Sequence, residues 1–544
     1  MSTLKKVTVS SLSDKGEGIA FEEGLEIYIP LALPGEEVEV EVGEPFARGS
    51  RRCPGTITGI VRPSEQRVVP SCSYFPACGG CQLKHMSTNA QLEHRKELIT
   101  QALTSALKAA AGPQDARSAK GMAGAGLSAD FTDSDLQGRA RELVQPVVSG
   151  NSGTCRYKSI RYFACNERSG ALEQGFYRAR SHELIAIDSC PQEPACFGPL
   201  ATSLTRVLNS CGMKAWQATA PAAPAAAAGS SCASAPAAAP AVAPAVAPAA
   251  AQAAVRALQL RMAQDQVMVL LIVSASPDEN TRNALRQWAG QHDEVGSLYL
   301  GINDSQGNAL FCRQVELLCG KPLLVKELNG ISYQIGPQTF MQVNYEMAEA
   351  LYGRAVEHCV QRAGAGAAQA ATVDAAGAAS GAAASGAGAD HGEDELALDL
   401  CCGVGTMTLA LSRHFKNVLG VEIVESAIEA AQENAKLNRV DNAHFIAADI
   451  NKALPGLLTR DSRSRVRAVI ADPARAGLGE NCARQTGKIP GPCALSLIFC
   501  SLTAMKRDLP VLLKSGFTLQ SVQGFDMFPD TTHVETLCLL TKKG

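Results

Sequence analysis

The stretch "SCSYFPACGGCQLKH" sets Cys72, Cys78 and Cys81 at C-x5-C-x2-C spacing, with a Gly-Gly pair between the last two. Thiolate-rich sites suit iron-sulfur clusters or zinc, and spacing alone does not separate them. Far downstream, "LSLIFCSLTAMKRDL" places Cys500 at the end of an apolar run that reads as a buried strand, just ahead of a helical stretch. A thiol there faces the crevice in which open α/β sheets bind ligands. It gains from the positive N-terminal end of the helix, which favours thiolate, the nucleophilic form. "VIADPARAGLG" puts Asp472 at the end of the preceding strand, and "GFDMFPDTTHVE" closes on Glu535. By position alone Glu535 reads as an exposed strand-end carboxylate.

A second constellation lies between these. "LALDLCCGVGT" is an apolar strand running into a Gly-x-Gly turn and a helix, and "NVLGVEI" ends in Glu422 about 20 residues on. The glycines let backbone approach a ligand, and the acidic side chain can accept the two hydroxyls of a ribose. The third glycine of the dinucleotide fingerprint is missing. S-adenosylmethionine is therefore favoured over NAD, with Asp399, Gly403 and Gly405 forming the Asp-x-x-x-Gly-x-Gly turn. Cys401, Thr406 and Asp449, the last closing "FIAADI", are expected at strand ends lining the same crevice.

The elements that must position these residues follow from pattern. From 395 onward, strands alternate with amphipathic helices, which predicts a doubly wound, mostly parallel sheet. The first 62 residues alternate short β-branched runs with Gly and Pro turns, the pattern of a small β-barrel, and short strands dominate 155–190, 257–275 and 296–304. Three Ala-, Gly- or Pro-rich stretches, 110–146, 217–254 and 363–394, lack the large apolar side chains needed to offset chain ordering and are read as inserts outside the fold.

Composition agrees with several domains in 544 residues. A net charge of -3 excludes a uniformly basic nucleic-acid-binding chain but leaves room for local basic surface. The opening "MSTLKKVTVS" has no apolar h-region and no run approaches a membrane span, so a cytoplasmic protein with no membrane partner is expected. The 19 cysteines are then read as thiols, metal ligands or nucleophiles rather than a disulfide framework.

Taken together, "GFDMFPDTTHVE", "DPARAGLG", "FC" ahead of "RDL", "TFMQVN" and the "DLCCGVGT" turn resemble, in order, the RNA uracil C5-methyltransferases. The "GEGI" and "PLALPGE" elements of the first segment resemble the TRAM module, an OB-like RNA-binding barrel. The resemblance is to the subgroup that carries both this barrel and an iron-sulfur cluster and methylates uridine in large-subunit ribosomal RNA. It implies a class I (Rossmann-like) methyltransferase domain of α/β type over 336–544 and an OB-like barrel over 1–62. A small central iron-sulfur/β domain is implied over 63–109, 147–216 and 255–335. It implies that Cys72, Cys78, Cys81 and Cys190 ligate a 4Fe-4S cluster, with zinc the alternative. Cys500 would add to uracil C6 and Glu535 remove the C5 proton. Gln342, Asp399, Cys401, Gly403, Gly405, Thr406, Glu422, Asp449 and Asp472 would surround S-adenosylmethionine.

Phe340 in "TFMQVN" could stack or pack, packing being the simpler reading; His533 reads equally as orienting the terminal loop or as a satisfied structural histidine. Lys158, Arg161, Arg178 and Arg180 are candidate phosphate contacts, each alone read more simply as a solvated charge. The expected partner is RNA, bound by a monomer without an obligate protein partner. Two departures from the family pattern stand out. "DPAR" replaces Asp-Pro-Pro-Arg, and "CSL" replaces Cys-Asn-Pro, removing a φ-restricting ring and an amide after the nucleophile. Transfer RNA as substrate, and an RNA-binding homologue with an impaired site, are the competing readings.

Overall fold

The computed structural model describes residues 3–112, 132–150, 153–217, 253–362, 395–459 and 465–543. The expected inserts 217–254 and 363–394 fall almost wholly outside the described residues.

The first 62 residues form a closed barrel of β1 (Thr3–Leu12), β2 (Gly18–Glu22), β3 (Leu25–Ile29), β4 (Glu37–Val42) and β5 (Arg52–Arg62), in the order β1-β2-β3-β5-β4. Strand β4, "EVEVEV", shows why: its valines point inward and its glutamates outward. The two family elements meet across the barrel wall, since a Cβ on Gly18 would lie 2.8 Å from the Ala32 side chain and 2.9 Å from its carbonyl. Glu36 closes the barrel, accepting from the Leu33 (2.8 Å) and Ser64 (3.2 Å) amides and from Arg67 Nε (2.5 Å).

A second sheet combines β6 (Lys158–Cys165), β7 (Leu172–Tyr177), β8 (Leu184–Ala186), β9 (Lys214–Ala215), β10 (Ala254–Ala263), β11 (Gln266–Val273), β12 (Val295–Ile302) and β13 (Gln314–Gly320). Its order is β13-β12-β11-β10-β6-β7-β8, with β9 on β10. A hairpin of β14 (Leu324–Leu328) and β15 (Ile331–Ile335) leads on to the C-terminal sheet.

That sheet holds β16 (Leu396–Leu400), β17 (Asn417–Glu422), β18 (Ala443–Ala447), β19 (Val466–Ala471), β20 (Cys493–Phe499), β21 (Thr518–Phe525) and β22 (Glu535–Lys542), in the order β18-β17-β16-β19-β20-β22-β21. All pairings are parallel except those of β22 with β20 and β21. This is the expected class I methyltransferase order, with its switch point between β16 and β19. Seven residues of β20 are buried without a break, as a strand covered on both faces requires.

Two features depart from the domain reading. Helix α1 (Thr88–Ala111), expected with the central domain, lays Ile99, Leu103 and Leu107 into the core beneath Leu398, Leu495 and Phe499 of the C-terminal sheet. The helical period announces an apolar face but not which layer it covers. Helix α2 (Asp133–Leu143) lies inside the expected insert 110–146, yet it has a capping box of Thr132 and Asp135 and buries Leu136, Ala140 and Leu143 in the same core. Three apolar residues at helical spacing suffice where a preformed surface receives them, and the small residues around them concealed the pattern. The opposite face of the sheet is covered by α3 (Tyr345–Arg362) and α4 (Thr406–Ser412).

Candidate active site

The turn after β16 makes the first wall. Cys401, Gly403 and Gly405 all adopt left-handed φ (70°, 53° and 85°), which brings the chain round sharply onto α4. A Cβ on Gly405 would lie 3.1 Å from Phe445 and 3.2 Å from Ala431, so the glycine is required by both conformation and space. Asp399 is fully buried. It accepts from Thr408 Oγ1 at 2.6 Å while its Oδ1 has no partner, and burial pushes its carboxyl up to about 7. Glu422, ending β17, accepts from the amides of Gly403 (3.2 Å), Ile423 (2.9 Å) and Val424 (3.0 Å). Thr406 opens α4, and Asp449 caps the helix Ile450–Leu457 through the Asn451 amide at 2.9 Å. These residues line the C-terminal edges of β16, β17 and β18.

The second wall comes from β19, β20 and β22. Asp472 follows β19 and accepts from the Tyr352 hydroxyl of α3 at 3.1 Å, with the Gln342 side chain a further donor; burial holds it up at about 6. Phe499 of β20 pairs with Thr536 of β22, so Cys500 and Glu535, one step beyond that pair, stand side by side at the sheet edge. Glu535 is 4 % exposed and its Oε2 has no partner, which excludes the exposed-carboxylate reading. Burial, then the Asp472 charge, raises it to about 8, against the pull of Arg475.

Cys500 departs from expectation. Burial, followed by Glu535 and Asp472, pushes its thiol up to about 11, and only Arg475 and its own backbone oppose this. Ser501, which stands where the family has Asn, is the N-cap of the helix Leu502–Lys514 but makes no side-chain cap bond. The helix end alone does not offset desolvation and two carboxylates.

The loop that presents Glu535 is held by residues the sequence did not single out. Arg95 of α1, fully buried, donates to the carbonyls of Thr531 (2.7 Å) and His533 (3.3 Å) and pairs with Asp526 at 3.2 Å. The legible signal was Gln91 and Arg95, four apart on the apolar stripe that continues through Ile99 and Leu103. His533 thus contributes its carbonyl to the loop's anchorage, and burial lowers the affinity of its ring for a proton.

Cys72, Cys78, Cys81 and Cys190 all line one pocket, beside Lys84 and Arg156. Burial pushes the Cys81 thiol up to about 12 and raises Cys78 and Cys190. Among the described residues no three His, Cys, Asp or Glu side chains stand as a set for a single metal ion. Four thiols around one pocket, with Arg156 beside them and Lys84 paired with Asp530 at 2.7 Å, offer the donor chemistry of a thiolate-held group.

The candidate phosphate contacts divide. Arg161 is 0 % exposed and is a core residue, paired with Glu193 and donating to Gln174 (2.8 Å) and the Ile187 carbonyl (3.0 Å). Lys158 is largely buried opposite Arg261, and burial lowers it to about 8. Arg178 and Arg180 lie on the surface, paired with Glu183 (2.6 Å) and Glu17 (2.9 Å). Phe340, expected to pack, is 70 % exposed.

No described helix is long and apolar enough to cross a membrane. The family model described as tRNA (Uracil-5-)-methyltransferase matches residues 386–543. Along its length the chain is 27% identical to an RNA methyltransferase of Staphylococcus aureus (strain MSSA476), covering 99% of this chain and 98% of the relative. It is 25% identical to one of Clostridium tetani (strain Massachusetts / E88), covering 98% and 96%. The crystal structure of Pyrococcus abyssi tRNA (uracil-54, C5)-methyltransferase in complex with S-adenosyl-L-homocysteine superposes with a TM-score of 0.61 at 19% identity, over 99% of this chain and 100% of that one, and so shares the fold. Residues 386–543 thus match the tRNA (uracil-5-)-methyltransferase family model, and over nearly its whole length the chain is similar to bacterial RNA methyltransferases.

Proposed function

We propose that the protein transfers a methyl group from S-adenosylmethionine to C5 of a uridine in RNA, with large-subunit ribosomal RNA as the substrate. The observation that carries this reading is the side-by-side placement of Cys500 and Glu535 against Asp472, where a thiol and a proton acceptor can reach adjacent ring carbons.

In this reading Cys500 adds its sulfur to C6, which pushes electrons into a ring whose C5 is otherwise a poor nucleophile. The bound donor supplies an electrophilic methyl sulfonium. Glu422 and the Asp399–Gly405 turn hold the donor's ribose and backbone-facing edge, and Gln342 with Asp472 borders its reacting end. Glu535 then takes the C5 proton, so that the C5–C6 double bond reforms and the sulfur leaves with its electron pair. Base access requires a flipped or single-stranded nucleotide, and exposed Phe340 offers a stacking face. Cys72, Cys78, Cys81 and Cys190 would hold a 4Fe-4S cluster, which supplies a rigid crosslink between two distant chain segments. Zinc is the alternative occupant.

A second substrate reading, transfer RNA, has its own support. The Pyrococcus abyssi transfer-RNA enzyme shares the fold across the whole chain, so the overall architecture does not by itself point to ribosomal RNA. Nucleoside mass spectrometry decides: unmodified ribosomal and transfer RNA are incubated separately with anaerobically purified protein and S-adenosylmethionine. We expect 5-methyluridine in ribosomal RNA only. Its appearance in transfer RNA only moves the substrate assignment. Its absence from both, with RNA still bound, replaces the enzyme by an RNA-binding homologue.

A further inference from the structure

The loop from Asp526 to Val534 delivers Glu535, and one residue in it is gripped from several directions at once. Asp530 adopts a left-handed φ of 62°. Its carboxylate accepts from Lys84 Nζ at 2.7 Å, Gln192 Nε2 at 3.0 Å and Gln91 Nε2 at 3.1 Å. Its carbonyl accepts from the amides of Gln82 (2.9 Å) and Leu83 (2.8 Å), and its own amide donates to Gln91 Oε1 at 3.1 Å. Gln192 also donates to the Pro529 carbonyl at 2.9 Å. Gln82, Leu83 and Lys84 immediately follow Cys81, and Gln192 stands two residues after Cys190.

We infer that Asp530 is a positioning residue that couples the four-cysteine pocket to the general base, so that ordering of the cysteine segments fixes where Glu535 meets the C5 proton. This rests on the proposed methyl transfer. The two chain segments that end at Cys81 and Cys190 converge on one carboxylate, and four residues separate that carboxylate from the base. A hydrogen-bond set of this density is not needed to close a surface loop. The left-handed backbone is one that Asp adopts more readily than most residues, and the surrounding hydrogen bonds hold it there. The step it serves is the last one: Glu535 takes the proton from C5, the C5–H pair reforms the C5–C6 bond, and the C6–S bond breaks with its electrons returning to Cys500.

The test uses Asp530→Gly, which tolerates the left-handed backbone while deleting the carboxylate, with Asp530→Asn as the milder variant. The readout is the covalent protein–RNA adduct on denaturing gels with natural uridine RNA, followed as it forms and as it resolves to 5-methyluridine. We expect D530G to form the adduct at the wild-type rate and to resolve it roughly 10²-fold more slowly, the penalty of a misplaced catalytic group, with D530N between. Amides 531–536 should exchange faster in D530G while S-adenosylhomocysteine affinity is unchanged. Resolution at the wild-type rate overturns the inference, as does a parallel loss of adduct formation and thermal stability, which marks a general structural role. Should D530G not fold, Gln192→Ala removes two of the same contacts from the opposite side and is read by the same criteria. If the wild type itself forms neither adduct nor 5-methyluridine, the proposed function fails and this inference with it.

Discussion

Replacing Glu535 by Gln should stabilise the protein while stopping turnover, and the two effects separate by pH. In the folded chain the carboxyl is raised from 4.5 to about 8, chiefly by burial and then by Asp472. The folded state therefore binds this proton more tightly than the unfolded one, and the stability present below pH 4.5 is lost as pH rises towards 8. At about 1.4 kcal/mol per tenfold in proton affinity, the loss is roughly 2 kcal/mol by pH 6 and roughly 5 kcal/mol above pH 8. Gln is isosteric and carries no such loss. Thermal melts of wild type and E535Q should then diverge, the variant melting higher and the gap widening from pH 6 to pH 8.5. In the same variant, removal of a positioned base should slow product release from the adduct by roughly 10²–10⁴, so that the Cys500–RNA adduct accumulates. A gap that stays constant with pH, or a variant that melts below wild type at pH 8.5, would refute the buried, unpaired state of the carboxyl. Unchanged turnover would refute its role as base.

Four further outcomes follow from the geometry. In the RNA-free protein, alkylation of Cys500 by iodoacetamide should climb about tenfold per pH unit between 7 and 10, because thiolate is the reactive form and the thiol is held up at about 11. A plateau by pH 7 would show an activated thiol instead. Gly405→Ala should abolish S-adenosylhomocysteine binding in calorimetry, since φ of 85° strains any side chain by ~1–2 kcal/mol and the new methyl meets Phe445 and Ala431. Arg161→Met should cost roughly 3–5 kcal/mol in denaturant melts by leaving Glu193 buried and uncompensated, whereas Phe340→Ala should leave melting unchanged and weaken single-stranded RNA binding by ~1–3 kcal/mol.

The parts of the fold that were legible in the sequence are those in which one periodicity serves one surface. The valine–glutamate alternation of β4 and the unbroken apolar runs of β16, β19 and β20 each state their burial directly. The glycine turn after β16 was legible because only glycine suits its left-handed positions, although Cys401 shares that conformation without announcing it. Helix α1 declared an apolar face but not its partner, and α2 was hidden among small residues that resemble its unfolded-looking flanks. Charge proved the least legible property. Arg161 and Arg178 look alike in sequence, yet one is locked under Glu193 in the core and the other pairs with Glu183 at the surface. Likewise the thiol at a helix start suggested activation, and burial, followed by the carboxylates brought in from β19 and β22, reverses that direction.

That reversal is consistent with the order of chemical events in the proposed reaction. Cys500 and Glu535 are adjacent in the register of β20 and β22, and the negative charge of either opposes ionisation of the other. Such a pair titrates as a unit and, with the thiol held up at about 11 and the carboxyl at about 8, carries well under one negative charge near neutrality. The proposed steps need their charges at different times. The thiolate must form for addition at C6, when a protonated Glu535 opposes it least. The carboxylate is needed only afterwards, when the sulfur is bound to carbon as a neutral thioether and no longer repels it. A positively charged donor between Asp399, Asp472 and Glu535 lowers the cost of each buried anion in turn, because an opposite charge favours the ionised form. With Asp399 at about 7, Asp472 at about 6 and Glu535 at about 8, all three lie where the arrival of a single cation shifts their protonation at neutral pH. The crevice thus holds Glu535 and the Cys500 thiol largely neutral near pH 7, and the donor's positive charge opposes the part of that effect that comes from the neighbouring carboxylates rather than from burial.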